Sequence, residues 1–197
     1  MPQPLDDIAL DQLFRTARTY NGYVDKPVTN EHLQAIWELM KYGPTSANMM
    51  PARLVWCTSQ APKDKLAALA SGTNGEKIRK APVSVIVGMD IDFHAQLHWL
   101  FPHNPGIADY FGDRNVREVM ALRNSSLQGA YLIMAARALG LDTGPMSGFD
   151  NAAVDAAFFA DTPNVRSNFI STLGFGDPAT IFDRSPRPDF ETFNTIL

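Results

Sequence analysis

The chain has 197 residues, 45% hydrophobic and 19% charged, which fits one globular unit with a buried core and argues against disordered or collagen-like classes. Lys and Arg total 17 against 21 Asp and Glu, a net charge of -4 with no basic run, and this argues against nucleic acid as a partner. The single cysteine, Cys57, excludes an intrachain disulfide, and its place in an apolar run points to a small buried hydrophobe.

The first seven residues carry neither a basic nor an apolar leader-like stretch, and no apolar run reaches membrane-spanning length, so the expectation is a cytoplasmic protein with no membrane partner. Over 5–18, Leu5, Ile8, Ala9, Leu13, Phe14 and Ala17 recur near helical spacing, with Asp6 and Asp7 in the first turn. Turn residues fill 18–28. Thr29 or Asn30 can then cap a second helix, in which Leu33, Ile36, Trp37 and Met40 fall at i, i+3, i+4 and i+7.

Residues 43–53 connect that helix to the apolar run 54–57, which reads as the first strand. Pro44 stops the helix and Pro51 blocks its resumption; between them Thr45, Ser46 and Asn48 offer two hydroxyls and a carboxamide to something docked there. Taken alone, these residues would make an ordinary polar turn.

A short helix from Ala61 ends by Gly72, 71–75 is flexible and polar, and 81–88 is a β-branched second strand. The aromatic, Pro-interrupted region 90–115 has the form of an excursion or lid. The longest helix follows over 116–139, stopped at Gly140; its Ser125, Ser126, Gly129 and Ala130 suit close approach by another backbone or a flat ligand. Asp150 caps a helix through Phe159, 168–174 alternates as a third strand, and the tail over 182–197 is a loop followed by an amphipathic segment. Without a Gly-x-Gly-x-x-Gly turn, this interleaving argues for an α/β or α+β sandwich over 1–197 that is not a dinucleotide-binding Rossmann domain.

Pro44-Thr45-Ser46-Ala47-Asn48, closed by Pro51, resembles the Pro-Ser-(Ser/Thr)-x-Asn-x-Gln-Pro segment of the FMN-dependent nitroreductase family, which lies along the flavin. Four further segments resemble that family in its own order. Arg18-Thr19 stands in the place of its Arg-Arg-Ser-x-Arg phosphate and ribityl motif, and Asn74 and Lys77 match an Asn-x-x-Lys that reaches the pyrimidine edge. Pro145, Met146, Ser147 and Gly148 match a Pro-x-x-Gly-Phe loop whose backbone N–H groups, at Ser147 and Gly148, approach flavin N5. Arg184 and Arg187 match the terminal basic residues that return to the phosphate.

The resemblance implies an α+β, nitroreductase-like FMN-binding sandwich: a central, mostly antiparallel sheet flanked by helices, in a domain-swapped homodimer whose tail reaches the partner. It also implies FMN as cofactor, NADH or NADPH as donor and a ping-pong hydride transfer in which the flavin, rather than a side chain, does the chemistry. Thr19 and Asn21 stand where commoner members carry basic residues, which leaves Lys77 as the candidate to stabilise N1. These departures, with Met50-Pro51-Ala52, 123–128 and 143–150, resemble the RutE/HadB subgroup, assigned as malonic semialdehyde reductases in pyrimidine catabolism. A short 3-oxo acid needs a cation for its carboxylate, and Arg53 and Arg123 are the candidates; the alternative is a general NAD(P)H nitroreductase or quinone reductase.

Two readings from other classes stand beside this one. His94-x-x-x-His98, with His103, Asp90 and Asp92, has residue types that bind zinc or iron, as in a metal hydrolase, although packing among Phe93, Trp99 and Phe101 is the plainer role and no metal is expected. A storage or sensor module could bind flavin without turnover; NAD(P)H oxidation separates it from an enzyme.

Overall fold

The computed structural model describes residues 3–197; Met1 and Pro2 lie outside it. Helix α1 (Asp7–Leu10) opens under the Asp6 carboxylate, which accepts from the Ala9 N–H at 2.8 Å, and widens into a π-turn over Asp11–Arg15. It is shorter than the 5–18 pattern and buries no residue: Leu5, Ile8 and Phe14 stay exposed. Helix α2 (Asn30–Met40) begins where the Thr29 N–H donates to His32 Nδ1 at 3.0 Å, and it buries Leu33, Ile36 and Met40.

Strand β1 (Ala52–Cys57), helices α3 (Gln60–Ala67) and α4 (Asn74–Lys80), and strand β2 (Val83–Asp90) follow. Short α5 (Leu97–Leu100) leads to the 25-residue α6 (Arg114–Ala138), then β3 (Asp142–Met146), α7 (Asn151–Phe158), β4 (Val165–Gly174) and α8 (Phe190–Phe193). The sheet order is β1-β2-β4-β3, and every pairing is antiparallel. Helices cover both faces, as the α+β reading expects.

Period-2 alternation sorts the core. Val83, Val85 and Val87 face α2 and α6, meeting Leu33, Ile36, Met40 and Leu132. On the other face Cys57, Ile86 and Ile170 meet Leu66, Ile78 and Val154 of α3, α4 and α7. A third cluster of Met49, Phe93, Leu97, Phe111 and Ala121 roots the 90–115 excursion against α6.

Two elements depart from the local pattern. α4 begins within 71–75, which reads as polar and flexible, because it docks on α3: a Cβ on Gly75 would lie 2.6 Å from the Ala67 carbonyl oxygen. β3 contains Gly144 and Pro145, which read as loop. As an edge strand it pairs on one side only, where a missing N–H is tolerated. Among the described residues no helix is long and apolar enough to cross a membrane.

Cys57 is fully buried, and burial pushes its thiol up to about 11, so on the order of one thiol in a thousand is ionised at pH 8. Native protein at pH 8 should therefore leave a chromogenic disulfide reagent unreacted for many minutes, whereas one thiol per chain should react at once in denaturant.

Candidate functional site

The edge of β3 is the spine along which the expected site residues gather. At its start the loop after α1 docks by a parallel bridge, Thr19 to Thr143, with the Tyr20 N–H donating to the Thr143 carbonyl at 3.2 Å. Beyond its end, Ala70 bridges Phe149, and the Gly148 carbonyl accepts from the Ser71 N–H at 2.9 Å and from Asn74 Nδ2 at 3.1 Å. Between these anchors the edge stays open. The backbone N–H groups of Ser147 and Gly148 have no hydrogen-bond partner among the described residues. A cavity of about 350 Å³ lies over this stretch, bounded by Pro145, Met146 and Ser147 and by Ser126, Ala130 and Ile133 of α6.

The start of the spine is cationic. Arg18, Thr19, Asn21, Arg184 and Arg187, drawn from both ends of the chain, line one concavity of about 250 Å³, with Asp183 and, from the last turn of α6, Arg137. Asn21 Nδ2 donates to the Thr180 carbonyl at 2.8 Å, Arg184 Nη2 to the Ala17 carbonyl at 3.1 Å, and Arg18 to the Phe182 carbonyl. These bonds seat the tail on the loop after α1. Beneath it, Asp142 accepts from the Gly176 N–H at 2.9 Å, and Tyr23 Oη meets Thr172 Oγ1 at 2.6 Å; burial raises the pKa of both acids above its ordinary value.

The far end carries Asn74 and Lys77, one turn apart on α4 and hence on one face. Lys77 makes no ion pair among the described residues, whereas Arg79 and Lys80 beside it pair with Asp64 and Glu76.

The segment 44–51 is strained. Ala47, Asn48 and Met50 have φ of 47°, 48° and 39°, left-handed values that side chains with a Cβ resist. Two fully buried amides of α6 bracket it: the Ser46 N–H donates to Asn124 Oδ1 and the Ala52 N–H to Gln128 Oε1, each at 2.8 Å. Tyr131 Oη donates to the Pro44 carbonyl at 2.8 Å, Asn48 Nδ2 to the Leu100 carbonyl at 2.8 Å, and the Met50 N–H to Thr45 Oγ1 at 3.3 Å. At about 100° per residue, Asn124, Gln128 and Tyr131 form one stripe of α6, while Ser126, Ala130 and Ile133 form another on the far side. A single chain therefore does not bring Pro44, Thr45, Ser46 and Asn48 to the cavity on β3.

The two substrate candidates part company. Arg53 pairs with Asp90 at 2.6 Å, donates to the Met50 and Ala52 carbonyls, and faces a separate concavity of about 660 Å³. Arg123 is exposed, has no ion pair among the described residues, and lies three residues before Ser126, hence on the cavity side of α6. His94 and His98 fall on either side of the break between a 3₁₀ turn and α5; His98 Nδ1 contacts the Ala95 carbonyl, and His94 packs edge-on to Phe93. Among the described residues no group of three or more His, Cys, Asp or Glu is placed to hold a metal. Local sequence reasoning passed over Asn124, Gln128 and Arg137 as individuals. The available signal was two amides four apart on the inward face of a long helix.

Residues 14–176 match the model of the nitroreductase family. A protein of Caulobacter sp. (strain K31) is 57% identical over 193 residues, 98% of either chain, and one of Stenotrophomonas maltophilia (strain K279a) is 56% identical over 191 residues, 97% of either chain. Both carry the provisional name NADH dehydrogenase/NAD(P)H nitroreductase. A provisionally assigned nitroreductase of Exiguobacterium sibiricum 255-15, solved in complex with FMN, matches with TM-score 0.85 and 21% identity over all of both chains. A nitroreductase family protein of Streptococcus pneumoniae TIGR4 matches with TM-score 0.80 and 20% identity, over 94% of this chain and 98% of that one. At these identities the structural likeness speaks for the fold alone.

Gly43 sits where a Cβ would lie 2.0 Å from the Tyr131 ring, so Gly43→Ala must displace the ring that holds Pro44. It should cost about 1–3 kcal/mol, read as a lower urea midpoint with unchanged slope; full native stability would show that the ring yields freely.

Proposed function

The chain belongs to the nitroreductase family, and from that premise we propose that it is an FMN-dependent NAD(P)H oxidoreductase. One observation carries the reading: a cationic concavity, an open run of backbone N–H groups and an amide–ammonium pair follow one another along β3. That is the order in which FMN presents its phosphate, ring centre and pyrimidine edge. Bound FMN would supply the redox chemistry, passing two electrons from NADH or NADPH to an acceptor. Arg18, Arg184 and Arg187 would neutralise its phosphate, Asn74 and Lys77 would serve its pyrimidine edge, and the Ser147 and Gly148 N–H groups would donate to its ring.

The site is completed by a second copy. Pro44, Thr45, Ser46 and Asn48 lie on the far side of α6 from the cavity of their own chain, so a homodimer in which each copy offers this segment to the other gathers the whole set. Exposed Val119, Leu122 and Leu127 on α6, and exposed Phe190, Phe193, Ile196 and Leu197 in the tail, supply apolar surface for that contact and for an exchanged tail. A cytoplasmic setting, where NAD(P)H is abundant, goes with this reading.

For the acceptor we favour a short 3-oxo acid such as malonic semialdehyde: its aldehyde takes a hydride and a proton to give 3-hydroxypropionate while NAD(P)H becomes NAD(P)⁺. Arg123, exposed and free of a carboxylate, is the residue for its carboxylate; Arg53 is engaged by Asp90. The second reading, reduction of uncharged quinones and nitroaromatics, is favoured by the apolar walls at Ala130, Ile133, Pro145 and Met146.

Purified protein loaded with FMN should show a two-band visible spectrum that NADH bleaches anaerobically; protein that cannot be loaded sinks the flavin reading. Arg123→Ala should lower kcat/KM for malonic semialdehyde roughly 10- to 100-fold, the loss of one charge-assisted contact, with quinone reduction unchanged. Equal loss on both, or on neither, removes the 3-oxo acid reading and leaves the general reductase.

A further inference from the structure

The chain contains eleven arginines. Six of them, Arg15, Arg53, Arg79, Arg114, Arg117 and Arg166, have a carboxylate oxygen within 4.0 Å. Arg18, Arg123, Arg137, Arg184 and Arg187 have none among the described residues, and four of these five line the one concavity at the start of β3. Guanidinium groups repel one another, so four in a common space without carboxylate partners are a standing demand for an anion. Asp183 answers only part of it.

Three of the four come from the segments that sequence motifs single out. Arg137 comes from α6. We propose that Arg137 is an anion-binding residue of this concavity, adding a fixed guanidinium from α6 to those of the loop and tail, and that the site thereby selects flavin bearing a 5′-phosphate over flavin without one. The ligand identity rests on the flavin reading above; the anion-binding role of Arg137 does not.

The plainer role for an arginine in a last helical turn is to offset the helix dipole and tie down a neighbour. Arg137 does tie the π-turn: Nη1 donates to the Leu13 carbonyl at 2.8 Å, and Gln12 Nε2 donates back to the Arg137 carbonyl at 2.7 Å. This contact occupies Nη1 alone, and Nε and Nη2 donate to no protein atom among the described residues. Burial does most to lower the Arg137 pKa from its ordinary value; the charge of Asp142 supports the protonated guanidinium against this, and that of Arg184 opposes it, as two cations lining one space must. A guanidinium held by one nitrogen in the wall of a cationic hollow keeps donors in reserve for a bidentate contact to phosphate oxygens.

The test compares wild type and Arg137→Gln as ligand-free full chains. FMN and riboflavin are titrated by quenching of flavin fluorescence, and thermal stability is measured in inorganic phosphate against chloride at equal ionic strength. We expect FMN affinity to fall roughly 10- to 100-fold with riboflavin affinity unchanged, and the stabilisation by phosphate seen in wild type to shrink. Equal loss of both flavins, or no loss of either, overturns the proposal in favour of the tie to Leu13. Wild type that responds to phosphate through Arg137 but binds no flavin keeps the anion site and rejects the flavin. Arg137→Lys, which keeps the charge without the fork, should retain part of the phosphate response; if Arg137→Gln does not fold, an Arg137→Lys variant whose phosphate response and preference for FMN over riboflavin both equal those of wild type overturns the proposal.

Discussion

An antiparallel sheet whose last strand has one side unpaired must either be covered or remain open to another molecule, and this protein does both along a single edge. β3 has β4 on one side. On the other, the loop after α1 closes its start and the 69–74 turn closes the backbone beyond its end, leaving the N–H groups of Ser147 and Gly148 without partners among the described residues. Unpaired backbone donors are costly once water is excluded. Here they lie beside a cavity whose other wall is a helix with small side chains, Ser126 and Ala130, so a flat acceptor-bearing ligand can satisfy them. From Thr143 to Gly148 is five residues, at most about 17 Å of extended chain; cation, donor and amide are therefore set in register by one stretch of backbone.

The second constraint is α6, whose inward stripe changes chemistry along its length. Its C-terminal turns bury Leu132, Ala135 and Ala136 against the sheet, whereas its middle buries Asn124, Ser125 and Gln128. Two of those polar groups hold a segment with three left-handed, non-glycine residues. Three such residues cost roughly 1 kcal/mol or more each, against which these two hydrogen bonds and those of Tyr131, Asn48 and Thr45 contribute about 1 kcal/mol apiece. Met49, fully buried among Phe93, Leu97 and Phe111, adds about 1.5–3 kcal/mol. The excursion is thus a support for the strained segment as well as an insertion between β2 and α6.

Much of the architecture was legible. Helical spacing at Leu33, Ile36 and Met40 and the β-branched run 83–87 correspond to α2 and β2 because their burial is one-sided or complete, and burial is what periodicity reports. α4 and β3 were not legible in local pattern, since Glu76, Lys77 and Arg79 read as a wet face and Gly144-Pro145 as a turn. One becomes a helix by close contact of Gly75 with α3, and the other a strand because it sits at an edge. The basic residues were visible as types. Which of them keep a carboxylate and which are left to face a hollow was invisible, because ion pairing joins residues as far apart in sequence as Arg53 and Asp90.

The sequence by itself determined the class of fold, the family through motifs in their order, and the residue types able to meet a phosphate and a pyrimidine edge, since these depend on short-range patterns that survive in one dimension. Only the tertiary structure decided that Arg53 is engaged while Arg123 is free, that Arg137 joins Arg18 and Arg184, and that residues 44–48 lie on the opposite side of α6 from the cavity on β3. Those outcomes depend on which helix face meets which strand edge, a matter of packing between segments distant in sequence.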